Sequence, residues 1–173
     1  MGITMNRSTD KGTTSIIRGF TIVELLIVIV IIGILAAIVI VAYTGIQNNA
    51  RDVAFRSDLT NIAKKLEIAK VTNGGNYPFP PTVSTGIKIN KAQYDTTENN
   101  LYYCYDSSTG RYAVSARTSA RVQYKMIDGE ISTHASMLYG ASTCTLIGAT
   151  WSGTTGSLGY DVTTTTWSAW AQG

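Results

Sequence analysis

The chain is poor in charged side chains and has a single histidine, and both shortages restrict its chemistry. Charged residues make up 14% of the 173 residues, whereas an ordinary soluble domain carries about 25%. The one histidine, His134, stands at the end of a predicted strand. The sequence contains no Ser-His-Asp pattern, phosphate-binding loop or set of metal ligands. We therefore expect no active site, no bound metal and no cofactor.

Positive charge is also scarce over most of the chain. Its 14 lysines and arginines exceed its 11 acids by a net charge of +3. Residues 1–19 hold three of the cations and one acid, which are Arg7, Lys11, Arg18 and Asp10. From Phe20 onward, cations alternate with acids, whereas binding a phosphate backbone needs a clustered basic face. We expect no dedicated nucleic-acid site.

Only two cysteines occur, Cys104 and Cys144. Both follow the long apolar run described below. If that side of the membrane is extracellular, a disulfide between them is permitted, and closing a loop of this size stabilises a fold by roughly 3 to 4 kcal/mol. Two buried free thiols are the alternative.

One long apolar run, Leu25 to Ala42, contains neither a charge nor a hydroxyl group. Its 18 residues are enough for a membrane-spanning helix. The cations that precede the run predict a cytoplasmic N-terminus and an external C-terminus. No small-residue cleavage site follows the run at residues 43–46, but Gly19 precedes it. We therefore expect cleavage on the cytoplasmic side, with the apolar helix retained.

Glu24 is the one ionisable side chain in the apolar stretch that begins at Phe20. A carboxylate inside a bilayer is strongly disfavoured, and such residues are usually paired and functional. Two interpretations remain open at this point. Glu24 either has a partner inside the membrane or lies in the headgroup region, where it costs little.

Residues 18–38 read RGFTIVELLIVIVIIGILAAI, which resembles the leader junction and N-terminal helix of type IV prepilins and type II secretion pseudopilins. The resemblance covers residues 18–45. It implies that a prepilin peptidase in the membrane cuts after Gly19 and methylates the new amino group of Phe20. It also implies that Glu24 pairs with the N-terminal amine of a neighbouring subunit.

The same resemblance implies a set of partners. These are further copies of the chain, other pilins, the prepilin peptidase, the filament assembly machinery and, before assembly, the lipid bilayer. Many pilins have a proline in the second half of this helix, where this chain has Val41. Proline removes a helical hydrogen bond, so Val41 leaves open whether the helix melts locally in a filament.

Beyond Tyr43 an amphipathic helical pattern follows, with apolar residues at Phe55, Leu59, Ile62, Leu66 and Ala69. Glycines and prolines from Gly74 onward end it. The predicted organisation is a cleaved leader at 1–19, a long helix at 20–73 and a loop at 74–100. The helix comprises a membrane or filament-core part at 20–43 and an amphipathic part at 44–73. A β domain occupies 101–173.

Alternating patterns after residue 100 predict an antiparallel sheet of about four strands, with a hairpin turn at Asp128-Gly129. The fold class is therefore α+β and pilin-like, with the sheet packed on the amphipathic half of the helix. The Ser/Thr/Gly-rich tail predicts one or two irregular strands that cover the sheet. Its Trp151, Trp167 and Trp170 either pack in the core or form a binding surface.

Three functions are compatible with these features. The first is a subunit of a type IV pilus-like filament for adhesion, motility or DNA uptake. The second is a pseudopilin of a type II secretion or competence apparatus. The third is a single-pass anchored binding domain that does not polymerise, which explains the span but not the sequence around Gly19 and Glu24.

Overall fold

The computed structural model describes residues 19–79, 81 and 86–171, apart from the side chains of Val41 and Thr44. The predicted leader up to Arg18 lies outside the described residues, as do residues 80 and 82–85 of the predicted loop. The chain divides into two compact units, Met1–Tyr43 and Thr44–Gly173.

A single helix, α1, runs from Ile22 to Thr72 and covers 51 residues. It contains no proline, and Val41 lies within it. The long N-terminal helix of the predicted α+β fold is therefore confirmed. The helix ends where Gly74 and Gly75 adopt positive φ values of 64° and 88°, and the Gly75 N–H donates to the Lys70 carbonyl at 2.9 Å.

The second half of α1 supplies one side of the main hydrophobic core. Phe55, Leu59, Ile62 and Leu66 are all buried, as their spacing of four, three and four residues predicts. They pack with aromatic and aliphatic side chains of the sheet, chiefly Tyr103, Tyr112, Val114, Tyr124 and Met126. Burying both apolar faces against each other is the main stabilising contact of this unit.

The sheet is antiparallel and has six strands rather than about four. They are β1 (Asn100–Asp106), β2 (Arg111–Arg117), β3 (Gln123–Ile127), β4 (Glu130–His134), β5 (Gly156–Asp161) and β6 (Thr166–Trp167), in the order β4-β3-β2-β1-β5-β6. The prediction that tail strands cover the sheet is wrong. They extend its edge beside β1, because the backbone groups on that side of β1 need partners.

The β3–β4 connection confirms the predicted hairpin. Ile127 pairs with Glu130, which leaves Asp128 and Gly129 as a two-residue turn with φ values of 49° and 91°. Two positive φ values in succession match the right-handed twist of the flanking strands, and Asp-Gly adopts them readily. His134 is the last residue of β4, as expected.

A short helix, α2 (Gly140–Thr145), was not anticipated in the tail. It contributes Cys144 to a second, smaller hydrophobic cluster with Cys104, Ala113 and Ile147. The indole of Trp151 packs against this cluster. A Cβ atom on Gly156 would lie 2.3 Å from that ring, so only glycine fits there.

The tail tryptophans are packing residues. Trp170 is buried in the main core, and Trp167 packs against that core from β6. Together with Trp151 in the smaller cluster, all three contribute to the fold. Of the two alternatives for these side chains, core packing is the one found.

Candidate assembly site

The apolar half of α1 carries side chains with nothing packed on them within their own unit. Phe20 is 81% exposed and Ile22 is 79% exposed. In the part of the chain that the structure describes, α1 is the one helix long and apolar enough to cross a membrane by length and composition, with a mean hydropathy of 3.6 over 18 residues. A helix that is apolar all round requires lipid or other helices as its surroundings.

Glu24 and Thr21 form a capping box at the start of α1. The Thr21 N–H and the Thr21 hydroxyl each donate to Glu24 Oε2 at 2.9 Å. The Glu24 N–H points back to Thr21 Oγ1 at 3.2 Å. This reciprocal pair satisfies backbone donors that the first turn of a helix leaves without partners.

The capping role of Thr21 was missed by the sequence analysis, although the signal was present. Thr21-x-x-Glu24 ahead of an apolar run is the sequence signature of a capping box. The geometry also refines the interpretation of Glu24, because its carboxylate is hydrogen-bonded within its own chain. Its negative charge still has no cation partner among the described residues.

The predicted processing residues lie directly before this capping box. Gly19 is exposed and in irregular structure, and no atom comes within 4 Å of a Cβ placed on it. Phe20 links it to the first turn of α1. Gly19, Phe20 and Glu24 are therefore within six residues of each other at the N-terminal end of the helix.

The two cysteines form a disulfide. Cys104 in β1 and Cys144 in α2 are bonded, with their Cα atoms 5.2 Å apart. Both side chains are buried. The alternative of two free thiols is wrong, and the bond joins α2 to the sheet.

Several polar side chains of the second unit form ion pairs and hydrogen bonds. Asp95 and Arg117 pair at 2.7 Å with side chains that are 5% and 12% exposed. Tyr124 donates to Asp52, and the Arg56 guanidinium lies 4.9 Å from the centre of the Tyr124 ring. No group of three or more His, Cys, Asp or Glu side chains within the described ranges is placed to hold a metal ion.

Comparisons with known proteins agree with this geometry. The family model of the prokaryotic N-terminal methylation motif matches residues 15–40. Fimbrial protein Q of Moraxella bovis is 30% identical over 144 residues, which cover 76% of this chain and 87% of that protein. Type II secretion system core protein G of Escherichia coli (strain K12) is 38% identical over 82 residues, which cover 47% of this chain and 50% of that protein.

No solved structure matches the chain. The methylation motif matches the segment that holds Gly19, Phe20 and the Thr21–Glu24 capping box. The similarity to the fimbrial protein extends over most of both chains and so includes part of the sheet. The chain therefore belongs to the family of type IV pilins and type II secretion pseudopilins.

Proposed function

We propose that this chain is a prepilin whose mature form polymerises into a type IV pilus-like surface filament. A prepilin peptidase cuts after Gly19 and methylates the amino group of Phe20. Copies of the mature chain then assemble through the apolar half of α1. The chain acts as a structural subunit and not as an enzyme, in keeping with a sequence that holds one histidine.

The observation that carries this proposal is the extent of the similarity to the fimbrial protein, which covers 87% of that protein. The similarity to the secretion protein covers 50% of that protein. A role as a pseudopilin is the second candidate, supported by the higher identity of 38% within that shorter match. The broader match favours a pilus subunit.

Before assembly the precursor spans the membrane once, with its N-terminus in the cytoplasm and its second unit outside. The cations of residues 1–18 support this orientation, because lysine and arginine favour the cytoplasmic side. The disulfide between Cys104 and Cys144 supports it as well, since such bonds persist in oxidising compartments. After assembly the second unit lies on the surface of the filament.

Assembly replaces one apolar environment of α1 by another. In the bilayer the apolar run from Leu25 to Ala42 contacts acyl chains, and in the filament it contacts neighbouring helices. The capping box leaves the negative charge of Glu24 without a cation. The methylated amine of Phe20 in a neighbouring subunit supplies that cation, which makes assembly favourable where lipid offers no partner.

The intact mass of protein sheared from the cell surface tests the proposal. We expect fibres whose subunit lacks residues 1–19 and carries one methyl group. Glu24→Ala and Glu24→Gln should both insert into the membrane yet give no fibres or misregistered ones. Glu24→Gln is the sharper variant, because it keeps a hydrogen-bond acceptor for Thr21 and removes only the charge.

Two outcomes would refute parts of this account. Normal fibres from Glu24→Gln would exclude charge pairing as the reason for assembly. Surface protein that retains its first 19 residues, or that exists only as monomers, would instead indicate an anchored binding domain. Crosslinking between the Phe20 regions of different subunits separates that alternative from a filament.

A further inference from the structure

A cavity of about 390 Å³ lies between the second half of α1 and the segment that begins at Gly86, and lysines dominate its lining. It is lined by Asn61, Lys64, Lys65, Ile68, Gly86 and Lys88. We refer to it as the lysine cavity. Within the part of the chain that the structure describes, none of the three lysines forms a salt bridge. Three like charges around one cavity repel each other and attract an anion.

Glu130 is an acidic side chain with no ion pair among the described residues, and its charge is opposite to that of the lysine cavity. The other carboxylates among the described residues each accept a hydrogen bond or form an ion pair. Glu130 does neither, and it is exposed. It is the first residue of β4, which is an edge strand of the sheet. The charge of its side chain is therefore available to another molecule.

Glu130 lies at the β4 edge of the sheet, whereas the segment that carries Lys88 continues toward the opposite edge, at β6. Lys91, three residues after Lys88, places its Nζ 6.0 Å from the centre of the Trp167 ring. Trp167 is in β6, at the edge of the sheet opposite to β4. Because Glu130 is not among the residues that line the cavity, two copies placed side by side can bring the two features together. Contacts between unlike surfaces of identical subunits generate rings where the rotation closes and open helical polymers where it does not.

We propose that the lysine cavity of one subunit receives Glu130 and the adjoining β3–β4 turn of a second copy. The proposal rests on the polymerisation proposed above and adds a contact between outer units to the contact between N-terminal helices. A single exposed ion pair contributes little free energy to an association. In a filament the same contact recurs at every subunit, so its effect on the polymer accumulates.

Charge reversal on each side, separately and together, tests the contact in the full chain. Glu130→Lys alone and the double variant Lys64→Glu/Lys65→Glu alone should each lower the yield of sheared filaments by about tenfold, because each creates a like-charge contact. Combining them should restore most of the yield. Arg51→Glu reverses another exposed cation outside the cavity, one that forms no salt bridge with any described residue, and should leave the yield near that of the unaltered chain.

Processing and thermal unfolding of every variant are measured alongside, so that a loss of filaments is not confused with misfolding. If the single-side variants assemble normally, or if the combined variant is no better than either, the contact is refuted while the proposed function stands. If the unaltered chain forms no filament, the proposed function fails and the contact falls with it. Lysine variants that assemble normally but lose binding to inorganic polyphosphate would assign the cavity to an anionic ligand instead.

Discussion

The ion pair between Asp95 and Arg117 is the most buried charge contact among the described residues. Arg117 Nη2 and Asp95 Oδ2 are 2.7 Å apart, so the two opposite charges attract each other at close range. Burial raises the pKa of Asp95. Hydrogen bonds from the Thr97 hydroxyl and N–H, with the positive charge of Arg117, outweigh burial and hold that pKa below its ordinary value.

Replacing this carboxylate should weaken the fold in a pH-dependent way. Because the pKa of Asp95 is lower in the folded chain than in the unfolded chain, its stabilising effect is fully present above about pH 4 and is lost as the pH falls through the folded value. We expect Asp95→Asn to lower the free energy of unfolding by about 2 kcal/mol at pH 7. The difference from the unaltered chain should shrink below pH 4.

Urea unfolding of the full chain in detergent at pH 7 and at pH 3 measures this difference. Glu130→Gln is the control, since that carboxylate has no partner within the described chain and its loss should change stability little. An Asp95→Asn variant with an equal deficit at both pH values would contradict the electrostatic explanation.

At the scale of elements, the second half of α1 has two faces with different roles. Phe55 is fully buried, and its ring centre lies 4.7 Å from that of Tyr94 and 5.3 Å from that of Tyr124. Val53, two residues earlier, is 67% exposed. One face of this half of α1 therefore packs against the sheet, and the other face is exposed within this unit.

The two faces predict opposite outcomes for neighbouring substitutions. Phe55→Ala removes a packed ring and should lower the free energy of unfolding by about 3 to 5 kcal/mol. Val53→Ala should change it by less than about 0.5 kcal/mol. Thermal unfolding followed by near-ultraviolet circular dichroism measures both, because the core is rich in tyrosine. Equal effects of the two substitutions would show that α1 packs on the sheet by a different face.

The first turn of α1 is the element on which the proposed assembly depends. Its capping box is local, so the sequence around Thr21 contained all the information needed to find it.

The pairing of strands β1 to β4 was also predictable from the sequence, because each strand combines alternating apolar and polar residues with a nearby turn signal such as Asp128-Gly129. Strand β5 contains two glycines, which carry no side-chain pattern, and so its place in the sheet was not predictable.

At the scale of the whole molecule, the disulfide constrains the unfolded chain more than it adds contacts. It joins residues 40 positions apart. In the chain-entropy description, a closed loop of this length stabilises the folded state by about 3 to 4 kcal/mol. The bond also holds α2 and Trp151 against the sheet face opposite to the main core.

Removing the bond should therefore reduce stability without abolishing the fold. We expect the double variant Cys104→Ser/Cys144→Ser to unfold at a lower urea concentration, with a loss of about 3 to 4 kcal/mol. The unaltered chain treated with reductant serves as the matched control and should show a similar loss. Unchanged stability in both samples would mean that the bond contributes little to folding.

The sequence by itself determined the features that consecutive residues encode. These are the apolar half of α1, the motif from Gly19 to Glu24, the amphipathic pattern from Phe55 to Leu66 and the hairpin at Asp128-Gly129. Each of these features depends on the residue period of a helix or strand, or on a turn, within a short stretch of chain. The physical chemistry of neighbouring residues is therefore enough to specify each feature.

Only the tertiary structure decided the features that join distant parts of the chain. The six-stranded order of the sheet, the packing of all three tail tryptophans and the lysine cavity belong to this group. Lys88 lines this cavity together with Lys64 and Lys65, although more than 20 residues separate it from them in the sequence. The physical reason is that such contacts depend on how whole elements pack, which no local period specifies.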